Sequence, residues 1–240
     1  MGDQPAAGFE ILKHGRRIHS QYGYNFLIAE LENGGKVMGR DITGDGTPKI
    51  ALTDAMGRQG GGELFLFECA EQFRLIADVE SLGTYPALKD LDGDGIPELI
   101  VSDNDFYHWP VCKDGEPIPE VILRWRNGKY VAARDLMLRP APAANELNAQ
   151  AAQLRASPEW ESGSVPEALW TNALALMYGG HEALGWKFVE AAWKPGFPGK
   201  GDSSKEDIIN YYLRRKLEES IYWRDIKDPE IVTASKAGVK

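Results

Sequence analysis

Between residues 60 and 135 the apolar positions fall in short runs broken by polar turns, the pattern of β-hairpins. Glu63-Leu64-Phe65-Leu66-Phe67 and Phe73-Arg74-Leu75-Ile76-Ala77 read as one strand pair. Glu120-Val121-Ile122-Leu123-Arg124-Trp125 and Tyr130-Val131-Ala132-Ala133 read as another, joined through Asn127-Gly128. Asn-Gly is a strong two-residue hairpin signal because both residues tolerate positive φ. The two pairs align without gaps at an offset of 57. Phe9–Leu12 with Tyr24–Ile28 reads as a divergent first hairpin. Near Arg139-Pro140-Ala141-Pro142-Ala143-Ala144 the texture changes to a linker, since two prolines disfavour a continuing helix or central strand. Beyond it the period becomes helical. Helices are predicted over 145–155, from a cap at Ser164-Val165-Pro166-Glu167 to Gly179-Gly180, over 181–193, and as one long amphipathic helix over 203–222.

A repeat organises the first half. Leu27-Ile28-Ala29-Glu30-Leu31-Glu32 matches Leu75-Ile76-Ala77-Asp78-Val79-Glu80. Arg40-Asp41-Ile42-Thr43-Gly44-Asp45-Gly46-Thr47-Pro48-Lys49 matches Lys89-Asp90-Leu91-Asp92-Gly93-Asp94-Gly95-Ile96-Pro97-Glu98. Each loop is followed by an apolar run ending in Asp, at Asp54 and Asp103. The offset is 48 at first and 49 from the loop onward, a period typical of blade-like β repeats. The expected organisation is therefore α+β: an open, partly propeller-like antiparallel β-repeat domain over 1–138, then a helical domain over 145–232.

Composition narrows the function classes. The net charge of −9 argues against a nucleic-acid binder. Residues 1–140 carry 22 acidic and 15 basic residues, so the acidity gathers where the Asp-rich loops lie. No apolar stretch is long enough to span a membrane. Met1-Gly2-Asp3-Gln4-Pro5 lacks a secretory signal pattern. The two cysteines, Cys69 and Cys112, suit either one disulfide or two free thiols.

The Asp loops carry the chemistry. Calcium takes six to eight oxygen ligands, and carboxylates at alternate positions supply them. Counting from Asp90, positions 1, 3 and 5 are Asp90, Asp92 and Asp94, Gly95 permits the turn, Ile96 offers a carbonyl and Glu98 adds a carboxylate. These five residues form the expected Ca2+ site. Position 12 is Val101 rather than a bidentate Glu, which separates the loop from an EF-hand. In the earlier copy Lys49 replaces the last carboxylate. Two readings stand: its ammonium lies near Asp41 and Asp45 in place of an ion, or it is exposed beside a vestigial turn.

Residues 90–101 resemble the calcium loop and following strand of the FG-GAP/VCBS repeat family, which includes the blades of integrin α-chain propellers. The resemblance covers about 25–135. It implies calcium at Asp90, Asp92, Asp94, the Ile96 carbonyl and Glu98. Two units fall short of the four blades a closed propeller needs, so an open assembly is expected.

Catalytic patterns are scarce. His14, His19, His108 and His181 form no zinc spacing, and no nucleophile elbow or phosphate loop occurs. The Gly57–Gly62 run precedes a strand-like segment and reads as a connection. Asp103-Asn104-Asp105-Phe106-Tyr107-His108-Trp109 mixes acids, imidazole and aromatics, so Asp105 with His108 is the candidate pair for a hydrolase or carbohydrate-active alternative. Trp170, Trp186, Trp193, Tyr211 and Tyr212 are expected in the helical core, and Arg214-Arg215-Lys216 on a solvated face. The reading that follows is a non-enzymatic, calcium-stabilised binding module with a protein or glycan ligand. Because extracellular calcium is abundant, an extracytoplasmic setting, periplasmic or secreted, is expected.

Overall fold

The computed structural model describes residues 7–55, 60–107 and 116–227. The architecture is α+β, with antiparallel strands in several open sheets followed by helices; among the described residues no sheet closes. The chain divides into two units. One comprises Met1–Asn104 and Glu120–Ala132, the other Asp105–Pro119 and Ala133–Lys240.

The β unit opens with β1 (Ala7–Lys13) paired to β2 (Arg16–Gly23). The expected pairing of Phe9–Leu12 with Tyr24–Ile28 is therefore incorrect. His14 and Gly15 both have positive φ, 52° and 75°, and they make the tight turn that sends the chain back at once. Phe9 and Ile11 alternate inward from β1, and His19 of β2 stacks on Phe9 at 5.5 Å.

Two antiparallel meanders follow. In the first, β3 (Phe26–Ile28) and β4 (Met38–Arg40) both pair with β5 (Lys49–Ala55), followed by β6 (Gly61–Cys69) and β7 (Phe73–Leu82). In the second, β8 (Ala87–Lys89), β9 (Glu98–Ser102), β10 (Glu120–Arg126) and β11 (Lys129–Ala132) lie in that order. An Asp loop joins β4 to β5 and β8 to β9. The central strands are buried on both faces: Leu64, Phe65, Leu66 and Phe67 of β6 and Val121, Ile122 and Leu123 of β10 are all buried. Leu52, Phe65 and Phe67 gather Phe9, Ile11, Phe26, Ile28, Ile50 and Phe73, while Leu99, Val101, Val121 and Leu123 are buried in the second sheet. Burying side chains of this size stabilises by about 1.5–3 kcal/mol each.

The predicted hairpins are present, and Asn127 (φ 54°) with Gly128 (φ 81°) makes the β10–β11 turn. Two alignments need correction. Leu27 and Ile28 belong to β3, which pairs with β5, whereas their counterparts Leu75 and Ile76 lie in β7, which pairs with β6. The matched stretches thus occupy opposite edges of one sheet. The hairpin offset also slips by one. Lys49 lies opposite Glu68, and the β9–β10 register, which sets Leu99 opposite Leu123, brings Arg124 opposite Glu98 one step on. With an offset of 49 at the loops, that makes Arg124 the counterpart of Glu68 (offset 56), not of Phe67. Because side chains alternate faces, one residue of slip inverts which positions correspond.

The helical unit contains Arg134–Met137, Ala144–Arg155, Glu167–Tyr178 and Glu182–Ala192. Pro166 precedes the third of these, and no side chain caps it, so Ser164 is not the predicted cap. The long helix expected over 203–222 is broken. Gly199–Lys200 pairs with Ser203–Ser204, and Ser204 exchanges capping bonds with Asp207. Lys205–Asp207, a π-helical Ile208–Arg214 and Arg215–Glu219 then run together until extended Ser220 separates Ile221–Lys227. Trp170 and Trp193 are buried as expected, Trp186 and Tyr212 are half-buried, and Tyr211 is exposed. Arg214 stacks over Trp186 and Arg215 over Tyr211, at 4.6 and 5.1 Å from the ring centres. No helix among the described residues is long and apolar enough to cross a membrane.

Candidate cation site

The two Asp loops share their internal wiring. The first carboxylate accepts backbone N–H bonds from the fourth and sixth positions: Asp41 from Gly44 and Gly46 (2.9 and 2.7 Å), Asp90 from Gly93 and Gly95 (2.8 and 3.1 Å). The fifth accepts from the seventh: Asp45 from Thr47 (2.8 Å), Asp94 from Ile96 (2.7 Å). The turn needs positive φ at the fourth and sixth positions, and all four residues there are glycine. Local carboxylate-to-backbone bonds therefore shape both loops without regard to their last residue.

That last residue sets the chemistry. In the second loop, oxygens of Asp90, Asp92 and Glu98 all lie within 4.8 Å of one another. Oxygens on one calcium, each about 2.3–2.6 Å from it, are separated by no more than about 5 Å. Three hard anionic donors in this spacing fit a divalent cation such as calcium. Asp90 and Asp92 are exposed and Glu98 is buried at the start of β9. Asp94 stays outside the convergent group and is engaged by the Ile96 N–H. Ile96 is half-buried, and a Cβ on Gly44 would sit 3.5 Å from its side chain, so the loops adjoin.

Arg124 completes the second site. Its Nε donates to Glu98 Oε1 at 3.0 Å and a terminal nitrogen donates to Asp92 Oδ2 at 2.7 Å. Glu98 Oε2 accepts the Leu91 N–H at 3.0 Å. Sequence reasoning missed Arg124 because it lies 26 residues beyond Glu98 and belongs to no local motif. The signal that finds it is the repeat, once the hairpins are aligned in true register.

In the first loop Lys49 has no exposed surface, which rules out the exposed reading. Its Nζ donates to Asp45 Oδ1 at 2.7 Å and to the Thr47 carbonyl at 2.8 Å, with Glu68 at 3.8 Å. The ammonium reaches Asp45 but is not bonded to Asp41, whose carboxylate is already taken by N–H donors. Burial pushes the Asp41 carboxyl up, but the N–H groups of Thr43, Gly46 and Gly44 outweigh it and hold it low. Asp45 is likewise raised by desolvation and lowered more strongly by Lys49 and Thr47.

A cleft of about 490 Å³ borders this first loop, lined by Thr43, Asp45, Glu68, Arg74, Trp125 and Asn127 among others. Its charges are matched internally: Asp45 with Lys49, and Glu68 with Arg74 at 2.8 Å. Elsewhere, the backbone carbonyl of Asp105 accepts from Lys216 Nζ, while His108 lies outside the described residues, as do Cys112 and residues 57–59 of the Gly57–Gly62 run. Gly61 opens β6. Cys69 is a free thiol, raised chiefly by burial.

Neither family models, nor curated proteins, nor solved structures gave a match to the chain.

Proposed function

We propose that the β unit is a calcium-stabilised, non-enzymatic binding module of the FG-GAP/VCBS kind, working outside the cytoplasm. The convergence of Asp90, Asp92 and Glu98 within 4.8 Å carries this reading. Three acids this close favour cations among them, the Arg124 guanidinium offsets part of that charge through Asp92 and Glu98, and the loop joins the first two strands of a meander, where an ion ties one strand to the next. Asp94 and the Ile96 carbonyl complete the proposed ligand set. The ligand surface is the cleft beside the first loop. Trp125 supplies an aromatic face, and Asn127, Thr43 and the paired charges of Asp45, Glu68 and Arg74 supply fixed hydrogen-bonding groups with no net charge to satisfy. That combination suits a neutral polyhydroxylated ligand, a glycan, more than a charged one.

Calorimetry with calcium and melting curves in calcium or EDTA test the reading on the full chain. Calcium binding should be present in the wild type, lost in D90N, and accompanied by a higher melting temperature. Screening against neutral oligosaccharides tests the ligand class, with Trp125→Ala expected to abolish any binding found. No calcium heat together with a melting temperature indifferent to EDTA would leave the loop as a turn.

A further inference from the structure

The two meanders place a charged pair at the same cross-strand position with the signs reversed. Beside the first loop the strand leaving it carries the cation, Lys49, and the neighbouring strand carries the anion, Glu68. Beside the second loop the leaving strand carries the anion, Glu98, and the neighbouring strand carries the cation, Arg124. In both cases the cation bonds a carboxylate of the Asp loop at 2.7 Å: Lys49 with Asp45, Arg124 with Asp92. Each loop thus has a side-chain cation of its own, supplied from opposite strands.

Arg124 is only 13% exposed, and its planar fork spans two carboxylates. Asp92 and Glu98 are two of the three residues that converge as candidate calcium ligands. A guanidinium and a divalent ion held by the same two carboxylates repel each other across a short distance, and each lowers the other's occupancy. We propose that Arg124 is the resident cation of the Asp90–Glu98 loop and competes with calcium for Asp92 and Glu98. The loop keeps its folded form when calcium is scarce, and calcium enters by displacing the guanidinium. Arg124 therefore sets the calcium concentration at which the loop fills. The first loop shows the limiting case, in which a buried ammonium has replaced the ion. This inference rests on the calcium reading of the second loop.

The test compares wild type, R124Q and R124K as full chains by calcium calorimetry and by melting in EDTA. R124Q should bind calcium at least tenfold more tightly than the wild type, melt lower in EDTA, and regain that loss when calcium is added. R124K, which keeps the charge but loses the fork, should fall between them. Where R124Q does not fold, the Arg124 Nε–H resonance of the wild type, assigned by its loss in R124K, is followed during a calcium titration. It should shift with the calorimetric midpoint. Equal affinity in wild type and R124Q, or an Arg124 resonance that calcium leaves unmoved, overturns the inference while the calcium reading stands. Absence of calcium heat in every variant overturns the calcium reading, and the competition with it.

Discussion

Lys49 offers a sharp energetic test, because its ammonium is fully buried and its partners are not equivalent. Removing Asp45 leaves the ammonium with the Thr47 carbonyl at 2.8 Å and a carboxylate at 3.8 Å. Breaking a buried pair from one side typically costs about 3–5 kcal/mol. The Asp45 side chain is 41% exposed, so water reaches the gap and about 2 kcal/mol is expected for Asp45→Ala. Lys49→Met removes the charge that needed the partner, keeps the stem packed and lets Asp45 rehydrate, while Glu68 keeps Arg74. Its cost should stay near about 1 kcal/mol, since replacing a buried charge by an apolar group of similar volume is often close to neutral. The double variant should resemble Lys49→Met alone, giving a coupling energy of about 2 kcal/mol, equal to the cost of Asp45→Ala. Urea unfolding followed by far-ultraviolet circular dichroism measures all three. Additive costs, or a Lys49→Met loss larger than that of Asp45→Ala, would refute the role of Lys49 as the internal cation of the first loop.

Two further outcomes follow from single residues. Burial, then the Asp78 carboxyl and the charges of Asp78, Glu80 and Asp54, push Glu63 up from 4.5 to about 8. Its folded form holds the proton more tightly than the unfolded form. The stabilisation is therefore complete below about pH 4.5 and lost as pH rises through about 8. Melting temperature should fall across that window, and Glu63→Gln should flatten the fall, by on the order of 1 kcal/mol after allowing for the partial exposure of the site. A pH profile that Glu63→Gln leaves unchanged would contradict this. The Tyr130 hydroxyl is buried without a hydrogen-bond partner, while its ring meets Trp125 edge-on at 5.0 Å. Tyr130→Phe should be neutral or stabilising by up to about 1 kcal/mol; a loss of that size in urea unfolding would reveal an acceptor for the hydroxyl.

Much of the fold was legible because its signals are local. Asn127-Gly128 marks its hairpin through backbone conformation alone, and the Asp-Gly loops recur because their turns depend on nearby carboxylates and glycines. The His14-Gly15 hairpin escaped notice because Arg16–Gly23 is a polar strand, its inward positions filled by His19, Gln21 and Gly23 rather than aliphatic residues. Ser220 carries no breaker signature, so the break before Ile221 was hidden within a continuous amphipathic pattern. The acids of the second loop stand out by their spacing; the structure gathers Asp90, Asp92 and Glu98 within 4.8 Å, while Asp94 accepts the Ile96 N–H through one of its oxygens. Arg124 depends on strand register, which no short window of sequence reports. A one-residue difference in hairpin alignment was enough to conceal that Glu68 and Arg124 occupy the same place.

The segmentation of the β unit also sets the order in which its parts emerge during synthesis. Among the described residues its strands run to Ser102 and resume at Glu120, so an emerging chain releases the whole Asp90–Glu98 loop before the strand bearing Arg124. During that interval Glu98 has β8 on one side and no neighbour on the other. A nascent chain ending near Asn104 therefore holds three adjacent carboxylates with no guanidinium. The final hairpin then adds both the missing ladder and the missing positive charge. Closing the second meander is thereby coupled to neutralising its loop, and the last strands to arrive act as the latch of the unit.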